Sequence, residues 1–223
     1  MNCKAVIFDL DGTLLNTLDD IAESCNFALS AFNFPLRTVD EVRQFVGNGY
    51  SRLIELAVPG GKENPLFQQV LQKGKDFYSK NCQNKTAPYD GIPELMEKLS
   101  KEGIKLGIVS NKPDNEVKTL AKRYFNSYVT KETAVGEMED KGIRRKPFPD
   151  SVNKLISILG VNKEEVLYVG DSDVDVLTAK NAGIKCISVT WGFRTRDFLE
   201  KNGALYFADS PAQLFQMICS TSW

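Results

Sequence analysis

Residues 4–13 of the chain read KAVIFDLDGT, an apolar run that leads into two acidic residues and a glycine. The apolar, β-branched part (4–9) predicts a buried strand that leads into a loop. The segments IKLGIVS (104–110), EVLYVGD (165–171) and IKCISVT (184–190) have the same character, and helical patterns separate them. Short apolar strands that alternate with helices predict an α/β fold, with a Rossmann-like doubly wound parallel sheet covered on both faces.

The stretch from residue 17 to residue 83 differs, because apolar residues recur there at helical spacing and no strand pattern interrupts them. Within it, Thr38 and Glu41 predict a capping box at the start of a helix. We therefore expect two domains. An α/β core is made of residues 1–16 and 84–223, and a small α-helical cap, residues 17–83, is inserted after the first strand.

Three further patterns refine the expected core. SYVTK (127–131) predicts a short strand. Pro113 predicts the start of a helix that runs to residue 124, since proline is favoured at the first helical position. Ser210 and Pro211 likewise predict the start of a last amphipathic helix.

The composition excludes several classes of protein. The 223 residues include no histidine, which rules out Ser-His-Asp hydrolysis, histidine-ligated zinc and phosphohistidine chemistry. The 28 basic and 29 acidic residues give a net charge of −1, so no global field attracts nucleic acid or an anionic membrane. The five cysteines are scattered, and no apolar run approaches the roughly 18 residues of a membrane helix. We expect a soluble cytoplasmic protein, monomeric or homodimeric, that binds neither nucleic acid nor membrane.

Polar residues follow the ends of three predicted strands and precede one helix. Residues 9–13 follow the first strand, 110–112 the second and 170–175 a later one, while Lys146 precedes a helix near 148–159. Because the carboxyl ends of parallel strands share one edge, we expect these side chains in one pocket. Two carboxylates about 4 Å apart repel by roughly 4 kcal/mol at an effective dielectric near 20, a cost that a divalent cation removes. Oxygen ligands without histidine suit Mg²⁺, which predicts magnesium-dependent phosphoryl transfer to a carboxylate nucleophile.

These residues resemble the four ordered motifs of the haloacid dehalogenase superfamily. The matching segments are DLDGT (9–13), VSNK (109–112), Lys146-Pro147 before a helix, and GDSDVD (170–175). The resemblance covers the expected core, and the helical block after the first motif matches the placement of that family's cap. It implies a phosphatase that acts on a small phosphorylated metabolite through an aspartyl-phosphate intermediate.

The resemblance implies a role for each matching residue. Asp9 would be the nucleophile, and Asp11 would protonate the leaving oxygen and then deprotonate water. Lys146 would neutralise the phosphate and the nucleophile, and Asp175 would orient Lys146 or a metal-bound water. Mg²⁺ would be held by Asp9, by the backbone carbonyl of Asp11 and by Asp171. The residues implied on the substrate side are Thr13, which would also place the turn beside Asp11, and Ser110 and Asn111, which would bind phosphate oxygens.

Two further segments resemble phosphoglycolate phosphatases within that superfamily, RQFVGNGYSRLIELA (43–57) and the tail from 189 to 214. In the first segment, the backbone N–H groups of Gly47, Asn48 and Gly49 could bind a small carboxylate of the substrate, or the three residues could form only a turn between helices. In the second, Arg194 could bind substrate or face solvent.

The leading interpretation is therefore a magnesium-dependent phosphatase with 2-phosphoglycolate as its best candidate substrate. A sugar phosphomutase like β-phosphoglucomutase is an alternative, although relatives of that branch carry Glu-Asp-Ser where this chain has Gly170-Asp171-Ser172. A nucleotidase of the same fold is a second alternative. A third, of another class, is a phospho-acceptor or binding module that keeps its phosphoryl group as a signal.

Overall fold

The computed structural model describes residues 3–220, which pack into two units. One unit comprises the chain up to Leu15 together with the chain from Pro88 onward, and the other comprises Asn16–Ala87. The expected cap, residues 17–83, lies within the second unit, and its action as a cap stays a prediction.

The described elements alternate as the sequence pattern indicates. The strands are β1 Ala5–Phe8, β2 Leu15–Asn16, β3 Ala87–Pro88, β4 Lys105–Pro113, β5 Ala134–Glu137, β6 Val166–Gly170, β7 Lys185–Val189 and β8 Tyr206–Ala208. The α-helices are α1 Leu18–Ser30, α2 Val39–Phe45, α3 Tyr50–Ala57, α4 Phe67–Asn81, α5 Ile92–Lys101, α6 Asp114–Tyr124, α7 Asp150–Leu159, α8 Asp173–Ala182, α9 Arg196–Lys201 and α10 Pro211–Cys219. Within residues 3–220, no helix combines the length and the apolar character that a membrane crossing requires.

Six strands form one parallel sheet in the order β5-β4-β1-β6-β7-β8, which confirms the doubly wound prediction. The four residues of β1 explain how both faces are covered. Val6 and Phe8 belong to the core cluster that includes α5, α6 and α10, whereas Ala5 and Ile7 belong to the cluster that includes α7 and α8. Because β1 lies between β4 and β6, the carboxyl ends of these three strands surround the point where the strand order reverses, the usual ligand site of such sheets.

The structure departs from the predicted core at three places. The strand prediction for 127–131 was wrong, because Thr130 and Thr133 close a turn there through side-chain and backbone hydrogen bonds, and the strand begins at Ala134. Pro113 ends β4 and is the N-cap of α6 rather than its first helical residue. The short elements α9 and β8 were not predicted from the sequence.

The second unit contains α1 to α4. The predicted capping box is confirmed, since the Thr38 hydroxyl accepts from the N–H of Glu41 and the Glu41 side chain accepts from the N–H of Thr38. Asp20, a buried carboxylate near the start of this unit, accepts hydrogen bonds from the backbone N–H groups of Lys85 and Thr86 and from the Thr86 hydroxyl, at 2.8 to 3.0 Å. Asp20 therefore ties the first helix of this unit to its last residues.

The Gly47, Asn48 and Gly49 segment forms the turn between α2 and α3. Gly47 and Gly49 have φ angles of +123° and +81°, and Gly49 is the N-cap of α3. Glycine is required here because other residues rarely adopt this backbone conformation. The turn interpretation therefore describes the segment, and a substrate contact of these three residues stays a prediction.

Candidate active site

Three buried carboxylates converge at the carboxyl edge of the sheet. Asp9 follows β1, Asp171 follows β6, and Asp175 lies in the first turn of α8. One oxygen of each lies within 4.8 Å of the others. Asp11 is not one of these three, and its side chain pairs with Lys112. The predicted contact between its backbone carbonyl and the metal stays a prediction. The structure thus brings together the acidic residues of the first and last sequence motifs.

Lys146 lies between two of these carboxylates. Its Nζ is 2.9 Å from Oδ1 of Asp9 and 2.7 Å from Oδ1 of Asp175, and its side chain is 3% exposed. Burial by itself would lower the pKa of Lys146, but the carboxylates of Asp175 and Asp9 raise it above its ordinary value. The carbonyl of Lys146 accepts a hydrogen bond of 3.1 Å from the side-chain amide of Asn111. That amide positions Lys146, and the phosphate contact expected of Asn111 stays a prediction.

Asp175 is held by a capping box at the start of α8. Its Oδ2 accepts from the hydroxyl and the N–H of Ser172, at 2.6 and 3.1 Å, which turns the carboxylate back toward the sheet edge. Its Oδ1 accepts from Lys146 and from the hydroxyl of Tyr168, at 2.7 and 3.2 Å. A Cβ on Gly170 would lie 2.3 Å from the Asp175 Cγ, so this close approach requires glycine at the end of β6. Oδ1 of Asp175 therefore positions Lys146, while Ser172 holds Oδ2.

Asp171 is supported by the turn that carries the first motif. The hydroxyl of Thr13 donates to its Oδ1 at 3.0 Å, and Thr13 is fully buried. Thr13 therefore supports Asp171, and a substrate contact of Thr13 stays a prediction. A Cβ on Gly12, whose φ is +85°, would lie 2.3 Å from Oδ2 of Asp171. The glycine of the first motif is thus required by its contact with Asp171.

The loop after β7, Trp191 to Phe193, supports Asp171 from another side, a role that was not predicted from the sequence. The N–H of Phe193 donates to Oδ2 of Asp171 at 2.7 Å, and the indole N–H of Trp191 donates to the carbonyl of Thr13 at 3.0 Å. A Cβ on Gly192 would lie 2.3 Å from the Asp171 Cβ. The glycine flanked by aromatic residues could have indicated a close backbone approach at this strand end.

Asp11 is paired with a second buried lysine, Lys112, which was not among the predicted site residues. The Lys112 Nζ lies 2.9 Å from Oδ1 of Asp11, and the lysine side chain is 4% exposed. The Ser110 hydroxyl lies 3.5 Å from Oδ2 of Asp11 and accepts from the N–H of Lys112 at 3.2 Å. The position of Lys112 two residues after the predicted strand 104–110, within the VSNK segment (109–112), was the signal that could have identified it.

Crowding of negative charge changes the proton affinity of two carboxyl groups. Burial, followed by the carboxylate of Asp175, raises the pKa of Asp9 well above its usual range, and the same two causes raise the pKa of Asp171 to about 7. At 4.8 Å, two such charges repel by roughly 3 to 4 kcal/mol at an effective dielectric near 20. The donor set, carboxylate oxygens without histidine or cysteine, fits a hard divalent cation. Each oxygen of Asp175 accepts two contacts, from Lys146 and Tyr168 on Oδ1 and from Ser172 on Oδ2, whereas each oxygen of Asp171 accepts one. Leu10 and Lys146 contact Oδ1 of Asp9. Asp9 and Asp171 are therefore the side chains that fit as ligands.

Arg194 lies next to this site in sequence, directly after Phe193. Its guanidinium lies over the ring of Phe198, 5.7 Å from the centroid. Arg194 therefore packs on Phe198, and a substrate contact of Arg194 stays a prediction.

Comparisons with known proteins agree with this geometry. The family description "Haloacid dehalogenase-like hydrolase" matches residues 6–189. A phosphoglycolate phosphatase of Vibrio parahaemolyticus is 30% identical over 96% of this chain and 96% of its own length. An N-acetylmuramic acid 6-phosphate phosphatase of Pseudomonas aeruginosa is 31% identical over 98% of this chain and 96% of its own.

Solved structures share the fold over nearly the whole chain. A proposed phosphoglycolate phosphatase from Lactobacillus delbrueckii subsp. bulgaricus superposes with a TM-score of 0.92 at 34% identity, covering 99% of this chain and 100% of that one. The match across residues 6–189 and the relatives at 30% identity or more establish both the family and the class of enzyme. The chain is therefore a phosphatase that belongs to the haloacid dehalogenase-like hydrolases.

Proposed function

We propose that this phosphatase hydrolyses a small phosphomonoester through an aspartyl-phosphate on Asp9, with Mg²⁺ as its metal and 2-phosphoglycolate as its leading substrate. The observation that carries the proposal is the cluster of Asp9, Asp171 and Asp175, whose carboxylate oxygens lie within 4.8 Å of one another with Lys146 paired to two of them. A buried nucleophilic carboxylate beside a lysine suits attack on a phosphoryl group, whose oxygens carry the charge that the lysine offsets.

The side chains of Asp9 and Asp171 and the backbone carbonyl of Asp11 would hold the Mg²⁺. The bound cation would supply positive charge that offsets the carboxylates and the phosphoryl oxygens. Asp171 is suited to this role because Thr13 and Phe193 each donate one hydrogen bond to its carboxylate and fix its orientation.

The reaction proceeds in two steps on the side chains of this site. Oδ1 of Asp9 accepts from Lys146 and from the N–H of Leu10, which orients the other oxygen, Oδ2, for attack on phosphorus. The P–O ester bond breaks, and Asp11 gives its proton to the leaving oxygen. Asp11 then takes a proton from water, which attacks the phosphorus of the aspartyl-phosphate, releases inorganic phosphate and regenerates the Asp9 carboxylate.

The relatives support 2-phosphoglycolate as the leading substrate, since the protein of Vibrio parahaemolyticus is named a phosphoglycolate phosphatase. The Pseudomonas aeruginosa protein is as similar to this chain and is named for an amino-sugar phosphate, which makes N-acetylmuramic acid 6-phosphate a second candidate. Both candidates are small phosphomonoesters. The scattered cysteines and the lack of a long apolar run in the sequence support our further proposal of a cytoplasmic location.

The test is phosphate release by the purified protein from p-nitrophenyl phosphate, 2-phosphoglycolate and N-acetylmuramic acid 6-phosphate, with Mg²⁺ and with EDTA. We expect steady turnover that requires Mg²⁺ and is abolished in Asp9→Asn. Asp173→Asn is the matched control, because Asp173 belongs to the last motif and lies in the first turn of α8 but is not one of the three clustered carboxylates.

Three outcomes would contradict the proposal. Full turnover in EDTA would exclude the metal, and turnover by Asp9→Asn would exclude the nucleophile. A single stoichiometric release of the alcohol, with the phosphoryl group retained on the protein, would favour the phospho-acceptor alternative.

A further inference from the structure

We propose that Lys112 is a positioning residue for Asp11: it holds Oδ1 of Asp11, so that the proton given to the leaving oxygen of the substrate is carried on Oδ2. This inference rests on the proposed function, in which Asp11 is the general acid. The inference is based on an ion pair of 2.9 Å between the Lys112 Nζ and Oδ1 of Asp11, in which the lysine side chain is 4% exposed and the aspartate side chain 13%.

The two buried lysines of the site contact different carboxylates. Lys146 pairs with Asp9 and Asp175, on the side of the nucleophile. Lys112 pairs with Asp11, the proposed acid. Lys146 therefore contacts the nucleophile and Asp175, and Lys112 contacts the proposed acid. Neutralisation of the phosphate, the role of Lys146, does not explain why a second lysine contacts Asp11.

The main chain at Lys112 is fixed on two sides. The register between β4 and β5 shifts after Val109, which re-aims the side chains at the end of β4. On the facing strand, a Cβ on Gly136 would lie 2.6 Å from the Lys112 carbonyl oxygen, so the two backbones are in close contact there. A lysine on a backbone held in this way can set the position of the carboxylate that it pairs with.

Backbone hydrogen bonds hold the main chain of the turn that carries Asp11, from the N–H of Gly12 to the carbonyl of Leu15 and from the N–H of Leu15 to the carbonyl of Leu10, but they do not orient the Asp11 carboxylate. The next residue is Gly12, with φ at +85°, and the other side-chain contact of Asp11 within the described chain is the Ser110 hydroxyl at 3.5 Å. The ion pair with Lys112 is the shorter contact. A general acid that is misplaced by about 1 Å loses roughly 100-fold in rate, so a loss of this size is expected where acid catalysis matters.

The experiment compares Lys112→Met with the wild-type protein on three substrates: 2-phosphoglycolate, ethyl phosphate and p-nitrophenyl phosphate. The first two have alkoxide leaving groups that require a proton, whereas p-nitrophenolate leaves without one. We compare kcat/KM, which reports on the steps up to release of the alcohol. The expected result is a loss of roughly 100-fold for both alkyl esters and less than about 5-fold for p-nitrophenyl phosphate. The matched control is Lys105→Met, at the other end of the same strand. We expect it to keep the wild-type ratio of kcat/KM for the alkyl esters to kcat/KM for p-nitrophenyl phosphate.

Each other result overturns the inference. Equal losses on all three substrates would show a purely structural role, and a loss on 2-phosphoglycolate alone would show that Lys112 binds the substrate carboxylate. If Lys112→Met does not fold by circular dichroism, the same ratio is measured in Lys112→Arg, which keeps the charge but alters its geometry, and an unchanged ratio there contradicts positioning. Wild-type protein that hydrolyses none of the three substrates would instead refute the proposed function.

Discussion

Asp171→Asn should make the metal-free protein more stable at alkaline pH, although it removes a proposed metal ligand. The substitution is nearly isosteric and can keep both hydrogen bonds. The Asn oxygen would accept from the N–H of Phe193, and the Asn amide would donate to the Thr13 hydroxyl, which reverses its own direction. The main change is therefore the loss of a buried negative charge.

The magnitude follows from the raised pKa of Asp171. Burial, together with the carboxylate of Asp175, raises this pKa from 3.8 to about 7. Between these two values the folded protein binds more protons at this site than the unfolded chain, so the free energy of unfolding falls as the pH rises through the window. Between pH 5 and pH 8 the expected loss is on the order of 2 to 3 kcal/mol, at about 1.4 kcal/mol per pKa unit. Asp171→Asn lacks this loss.

The assay is urea denaturation in EDTA at pH 5 and at pH 8, with each free energy of unfolding referred to the same protein at pH 5. We expect the wild-type value to fall toward pH 8 and the value for Asp171→Asn to fall less by the amount given above. Mg²⁺ added at pH 8 should stabilise the wild-type protein and leave the variant nearly unchanged, because a ligand that binds only the folded state raises its stability. Parallel pH dependence in the two proteins would refute the assignment of this charge cost to Asp171.

Two further substitutions test the packing and the hydrogen bonds of the site. Gly12→Ala places a Cβ 2.3 Å from Oδ2 of Asp171 at a φ of +85°. In urea denaturation it should lower the free energy of unfolding more than Gly183→Ala, because position 183 has a φ of +72° but no heavy atom within 4 Å of the added Cβ. Gly183→Ala pays only the left-handed backbone strain, about 1 to 2 kcal/mol, and equal costs would contradict the proposed contact. Tyr168→Phe removes a buried hydroxyl within 3.3 Å of both Lys146 and Asp175, and it should lower kcat with little change in KM. Wild-type kcat in Tyr168→Phe would show that the hydroxyl does not help to hold Lys146.

The fold was predictable because its main signals are local. The apolar β1 strand and the helical spacing of the inserted unit lie in short windows of sequence, and the Thr38 capping box is complete within four residues. The wrong strand at 127–131 shows the limit of such windows, because a turn closed by threonine hydroxyls competes with an extended segment of similar composition.

The site was only partly predictable from the sequence. Residues 9, 171 and 175 follow strand ends, and sheet topology alone predicts that they meet. The role of Tyr168 was hidden, because a tyrosine in a buried strand gives the same apolar signal as phenylalanine, and the direction of its hydroxyl is set by Lys146 and Asp175. The loop after β7 was hidden as well, since its donors serve groups that lie far away in sequence, at Thr13 and Asp171.

The hydrogen bonds of Asp20 have a consequence for the modularity of the protein. These hydrogen bonds join the start of Asn16–Ala87 to its end. The entropy lost on closing this segment is therefore offset by contacts within the unit and not by contacts of the parallel sheet. The strands β2 and β3, which pair at the two junctions, keep the flanking chain ends side by side. A different insert could therefore be grafted between the same two positions while the phosphatase chemistry stays encoded elsewhere in the chain.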